Sequence, residues 1–160
     1  MKNRLWIVGL LFVAFGINSC SNDSISDDSV PSDYVIFGNY YGLCGGNCFQ
    51  VYKMSDGSLY KDTTVAHYMG EYTFHPSMQL SEEMYNYAHQ LLNDIPVDLL
   101  GGGSSTLGCP DCYDQGGYYF SNLHNGEKTI FTIDPAITAD QSQEVLAYKA
   151  KIKMALDSLN

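Results

Sequence analysis

Residues 118–133 read YYFSNLHNGEKTIFTI, and this stretch decides the fold class. Asn125-Gly126 divides two runs rich in aromatic and β-branched residues, 118–122 and 128–133. Asn-Gly readily supplies the two positive-φ positions of a type I′ turn, whose twist matches that of paired strands. The segment predicts an antiparallel hairpin.

The same grammar recurs toward the N-terminus. Residues 34–41 (YVIFGNYY) form a predicted strand, 42–47 (GLCGGN) a turn and 48–54 (CFQVYKM) a second strand. Asp56-Gly57 signals another hairpin into a short strand at 58–61, and 64–74 holds a further strand interrupted by Gly70. Ser81, followed by Glu82 and Glu83, caps a helix running to about Asn93, with Met84, Tyr87, Ala88, Leu91 and Leu92 on one face. Residues 101–108 (GGGSSTLG) read as a flexible loop. Thr138-Ala139-Asp140-Gln141 is a capping box. It opens a closing helix over 139–158, with Val145, Tyr148, Ile152, Ala155, Leu156 and Leu159 facing inward. The expectation is an α+β domain over 34–160: a mainly antiparallel sheet of about five strands covered by two helices and stapled by cysteines.

What precedes that domain reads as an address. Lys2 and Arg4 stand before an uncharged apolar run at 5–17 (LWIVGLLFVAFGI), and no further cation follows until Lys53. Thirteen helical residues span about 20 Å, short of a hydrocarbon core of about 30 Å. The run is thus the apolar centre of a signal peptide, residues 1–19. Ile17-Asn18-Ser19-Cys20 resembles a lipobox, in which the cysteine thiol is diacylated and the chain is cut just before it. Two or three acyl chains hold a protein at a membrane where one does not. Residues 20–33 then form the lipidated cysteine and a Ser/Asp-rich tether with little to bury. The tether resembles the export tags of Bacteroidetes surface lipoproteins, and Asp23-Ser24-Ile25 and Asp28-Ser29-Val30 resemble their O-glycosylation sites. The implied location is the cell envelope, at the outer membrane, with the membrane as a partner through the anchor.

The chain carries 18 acidic and 8 basic residues, a net charge of −10. Loss of residues 1–19 removes Lys2 and Arg4, leaving 6 basic against 18 acidic residues and a net charge of −12. Such a surface argues against nucleic acid as a partner.

With Cys20 lipidated, four cysteines remain in two clusters, Cys44-Gly-Gly-Asn-Cys48 and Cys109-Pro-Asp-Cys112. Two disulfides are the leading reading, with three pairings open. Chain entropy favours those that join the clusters, about 4 kcal/mol against about 2 for local loops. The clusters also resemble the two knuckles of a zinc ribbon, so zinc is the alternative cofactor. A thiol-redox pair is a third reading, although residues 113–117 lead into a strand where such a pair wants a helix N-terminus.

These segments carry a family resemblance. Phe37-Gly38 followed by Cys44-Gly45-Gly46-Asn47-Cys48 resembles an F-G…C-x-G-x-C block. Gly108-Cys109-Pro110-Asp111-Cys112-Tyr113-Asp114-Gln115-Gly116-Gly117 resembles a G-C-P-D-C-x-D-G-G block. Both blocks mark a family of small exported bacterial lipoproteins of the Bacteroidetes type. Gly38 lies further from Cys44 than in the pattern, Tyr113 replaces an alanine and Gln115 is inserted. The resemblance spans residues 34–158 and implies a shared scaffold, with no particular activity.

Other chemistry is sparse. Asp111 and Asp114 flank Cys112 as candidate oxygen ligands, or as Asx-type turn residues. His67, His75, His89 and His124 fall in no metal-binding pattern. Thirteen tyrosines stand out for a chain of 160 residues. Tyr40, Tyr41, Tyr118 and Tyr119 lie beside the cysteine loops, either as an aromatic platform for a glycan or protein ligand or as filling for the two faces of their strands. A binding or structural module is the leading expectation. A zinc or thiol-redox protein built on the four cysteines is the rival.

Overall fold

The computed structural model describes residues 32–160 apart from Ala66, Met69 and Glu71. The signal peptide, Cys20 and the tether as far as residue 31 lie outside the described residues.

Among the described residues seven strands form one sheet: β1 (Tyr34–Tyr40), β2 (Phe49–Ser55), β3 (Ser58–Asp62), β4 (Met78–Gln79), β5 (Gly103–Leu107), β6 (Gly117–His124) and β7 (Glu127–Ile133). Their order is β4-β3-β2-β1-β6-β7-β5. Both sequence-marked hairpins form. β2 and β3 close at Asp56-Gly57, and β6 and β7 at Asn125-Gly126, with φ of 52° and 82°. Central β1 runs antiparallel to both β2 and β6.

The sheet is larger than five strands, and it is mixed. The 101–108 segment is no loop: β5 pairs in parallel with β7, from Gly103↔Thr129 to Leu107↔Ile133. Glycine and serine are poor strand formers, yet an edge strand with few buried side chains needs only its ladder. A hydroxyl contact between Thr106 and Thr132 at 2.9 Å reinforces it. The described part of 64–74 is not a strand, and the short β4 lies beyond it.

Alternation sorts the side chains onto two faces. Val35, Phe37, Tyr52, Met54, Phe120, Phe131 and Ile133 meet helices α1 (Glu82–Ala88), α2 (Gln90–Asn93) and α3 (Gln143–Leu159). Every residue expected to point inward from α3 is buried. Two tyrosines satisfy their hydroxyls within this layer: Tyr148 donates to Leu91 O at 2.6 Å and Tyr52 to Leu159 O at 3.3 Å.

The helices depart from their predicted limits for local reasons. The single helix expected over 81–93 is split at His89, whose ring Nδ1 donates to Asn86 O at 2.8 Å. That carbonyl is the one the amide of Gln90 would use in an unbroken helix. Tyr87, expected inward, is 54 % exposed. α3 starts at Gln143, after the capping box, because Ser142 is the cap and accepts from Val145 N at 3.2 Å.

On the other face Ile36, Tyr40, Phe49, Val51 and Tyr119 are covered by a strap, residues 63–77, that contributes Tyr68, Tyr72 and Phe74. The Phe49 ring lies 4.9 Å from that of Tyr72 and 5.6 Å from that of Tyr119. The described strap residues form no helix or strand, so their polar groups need other partners. Asp62, 2 % exposed at the end of β3, supplies them. Its carboxylate accepts from Thr64 N (2.7 Å), Thr64 Oγ1 (2.6 Å), Tyr72 OH (2.8 Å) and His75 N (2.8 Å).

Burial raises the Asp62 pKa, but the hydrogen bonds from Thr64, His75 and Tyr72 outweigh it and bring it from 3.8 down to about 2. A native pKa below the unfolded value stabilises the fold fully above about pH 4 and loses that effect as pH falls toward about 2. Asp62→Asn should therefore cost about 2 kcal/mol in urea denaturation at pH 7. The gap between variant and wild type should close near pH 2, and strap amides should exchange faster in the variant. A constant gap across that range would show that the charge is not what pins the strap.

Candidate functional site

β1, β5 and β7 end, and β6 begins, at one end of the sheet, as the pairs Tyr40↔Gly117, Tyr118↔Ile133 and Leu107↔Ile133 require. The loops 41–48, 108–116 and 134–142 therefore emerge together, and both cysteine clusters lie in them.

The disulfides are Cys44–Cys48 and Cys109–Cys112. Both are local, against the entropic preference for joining the clusters. Each turn already brings its own pair to Cα separations of 5.7 and 5.6 Å, inside the range a disulfide needs. With all four sulfurs bonded, the thiolate set of a zinc ribbon is not assembled. Among the described residues no group of three or more His, Cys, Asp or Glu is placed to hold a metal ion.

What joins the two loops is a carboxylate. Asp111 Oδ2 accepts from Gly42 N at 2.8 Å and Oδ1 from Gly116 N at 2.9 Å, while Asp111 N donates to Gly116 O at 2.8 Å. Asp111 (φ 62°) and Asp114 (φ 60°) both take the left-handed conformation that aspartate tolerates in turns. Asp111 thus serves as a turn and bridge residue.

Four residues complete the frame: Asp134 and Lys149, which the sequence did not single out, and Asp140 and Gln141, which it read only as a helix cap. Asp134 accepts from Cys109 N at 2.9 Å and Ala136 N at 2.8 Å. Burial raises its pKa, and these amides hold it below the usual carboxylate range. Asp140 accepts from Gly108 N at 2.8 Å. Lys149 donates to Asp134 O (3.0 Å), Ala136 O (2.8 Å) and Gln141 Oε1 (2.6 Å). Burial lowers its pKa, opposed by Asp134. The legible sign was a lysine within the apolar stripe of α3, four residues after Val145.

The tyrosines divide. Tyr40 and Tyr119 face the strap and are buried, which pushes both hydroxyls up to about 12. They form no platform. Tyr41, 44 % exposed, and the half-buried Tyr118 line a cavity of about 200 Å³ together with Asn39, Lys153, Asp157 and Asn160. A wider cleft of about 500 Å³, lined by Asp33, Tyr34, Tyr85 and His124, opens at the opposite end of β1. There His124 Nδ1 lies 2.9 Å from Asp33 Oδ2.

No protein-family model matches the chain, and no curated protein matches it.

A Cβ added at Gly116 (φ 74°) would lie 2.4 Å from Tyr40 O, whereas one added at Gly45 meets nothing within 4 Å. Gly116→Ala should cost about 1–3 kcal/mol and Gly45→Ala within about 0.5 kcal/mol, read as shifts in denaturation midpoint. Equal effects would show that the steric account of the second block is wrong. Cys109 and Cys112 are exposed, whereas Cys48 is 1 % exposed. Graded reductant followed by thiol alkylation and mass analysis should open Cys109–Cys112 first.

Proposed function

We propose that the chain is a lipid-anchored cell-envelope protein carrying a small disulfide-braced binding module, and that it belongs with the exported family whose two cysteine blocks it resembles. The observation that supports this reading is polarity. Residue 33, where the tether joins, leads into Tyr34 at one end of β1, and the three loops emerge beyond Tyr40 at the other. Seven strand residues separate the two ends by about 20 Å. In this reading the loops and the Tyr41–Tyr118 cavity lie at the end of β1 away from the point where the tether joins. Among the described residues no helix is long and apolar enough to cross a membrane, and the anchor in this reading is lipid alone.

Binding is favoured over catalysis because the loop carboxylates with partners, Asp111, Asp134 and Asp140, are engaged by backbone amides rather than turned toward a common point. The exposure of Cys109 and Cys112 supports a second reading, thiol–disulfide exchange at that pair. Against it stand Asp111 and Asp114 within the same turn, since neighbouring negative charge disfavours a reactive thiolate.

In cells of a host that lipidates exported proteins, the wild type should label with palmitate and enter the detergent phase on Triton X-114 partition. Cys20→Ala should do neither. A variant that still partitions and labels would overturn the anchor.

A further inference from the structure

We infer that the cavity between Tyr41 and Tyr118 is a binding subsite for one neutral sugar ring. The inference rests on the binding-module reading and names the class of ligand that module takes.

Three observations carry it. The first is the pair of rings: Tyr41 follows the last residue of β1 and Tyr118 stands on neighbouring β6, and both line the same small cavity. A pyranose offers apolar C–H faces to such rings and hydroxyls to its edges. Burial raises the Tyr118 pKa, so that its hydroxyl stays a neutral donor.

The second is charge. The ionised side chains at the cavity are Lys153 and Asp157, and they neutralise each other at 2.5 Å across one helical turn. No uncompensated side-chain charge faces the cavity on a chain whose net charge is −10. A phosphate or carboxylate ligand finds no free cation there. Aromatic faces and neutral hydrogen-bonding edges make up much of the remaining lining, and they suit a polyol.

The third is a pair of unmet acceptors. Asn39 Oδ1 and Gln50 Oε1 are both shut off from solvent and accept no hydrogen bond. The two residues are opposite each other in the β1–β2 register, and Asn39 is also opposite Tyr118. Directly opposed side chains on one sheet face stand about 5 Å apart at Cβ. Asn39 also lines the cavity, and its amide can turn about a torsion that is broad for asparagine to exchange hydrogen bonds with a sugar hydroxyl there.

The cavity of about 200 Å³ is smaller than the usual range for drug-sized ligands. A single ring therefore binds at millimolar strength, as one subsite of a longer glycan would.

The test uses the full chain, 15N-labelled, in a zwitterionic detergent free of sugar groups. It is titrated with the methyl glycosides of glucose, galactose, mannose and N-acetylglucosamine to about 50 mM. At least one should give saturable amide shifts at Tyr41, Gln115, Tyr118 and Lys153. Tyr41→Ala, at an exposed position, should weaken that glycoside roughly tenfold. Asn39→Leu should weaken it comparably, and Tyr113→Ala, outside the cavity, should leave it unchanged. The inference falls if none of the four glycosides gives a saturable shift, if the shifts map to the Asp33–His124 cleft, or if Tyr41→Ala binds as well as wild type. Tighter binding of trialanine at the same amides would also overturn it in favour of a peptide. Failure of the anchor is read separately in the Cys20→Ala partition, which these titrations do not touch.

Discussion

β1 has to bury both of its faces at once, and the rest of the architecture follows from that requirement. A strand with Val35 and Phe37 on one side and Ile36 and Tyr40 on the other cannot be served by a single helical layer. The helices take the first pair, and something else must take the second. That something is a strap whose described residues form no helix or strand, and it covers the face with the large side chains of Tyr68, Tyr72 and Phe74. Aromatic burial of this kind is worth a great deal per residue, but a strap must also find partners for its backbone. Asp62 meets that need by accepting two strap amides and two hydroxyls. A single buried carboxylate is thus the condition on which the second face stays covered.

At the loop end the division of labour is different. Each disulfide rigidifies one turn by closing a loop of a few residues, worth about 2 kcal/mol in the chain-entropy model. Neither connects one loop to the other. That connection is made by Asp111, Asp134 and Asp140, which reach from one segment to the amides of another. The glycines where the loops meet follow from this closeness. Gly116 must pass the carbonyl of Tyr40, and Gly42 must leave room for the Asp111 carboxylate. The second block thus also supplies contacts that allow three loops to meet.

What was legible in the sequence was local. Asn125-Gly126 and Asp56-Gly57 specify their turns within two residues, and the apolar period of α3 identifies its buried face correctly. The failures came where tertiary contacts outweigh composition. β5 is a strand because β7 offers it a ladder, and nothing in Gly-Ser-Ser-Thr announces that. Thr138 and Asp140 have the chemistry of a helix cap but spend it on each other and on Gly108, so the helix waits for Ser142. The four tyrosines near the loops are two adjacent pairs, and the period of a strand sends the buried residues Tyr40 and Tyr119 one way and Tyr118 the other. The signal for that division was in the sequence, since neighbours on a strand cannot share a face.

The candidate cavity lies where the coverage of β1 runs out. Residues 35 and 37 are under the helices, but Asn39, the next position on that face, is polar, and Lys153, Asp157 and Asn160 reach its neighbourhood from the last turns of α3. An apolar residue at 39 would have extended the core toward this edge. An asparagine facing Gln50 and Tyr118 instead places hydrogen-bonding groups in a semi-enclosed space, at the expense of two amide oxygens without partners. Buried acceptors left unpaired cost about 1–3 kcal/mol each, and the same cost recurs at Ser121 Oγ and Asn122 Oδ1 on β6. What sets Asn39 apart is that it lines a cavity with Tyr41 and Tyr118, where its amide can turn to meet a partner that the interior denies it.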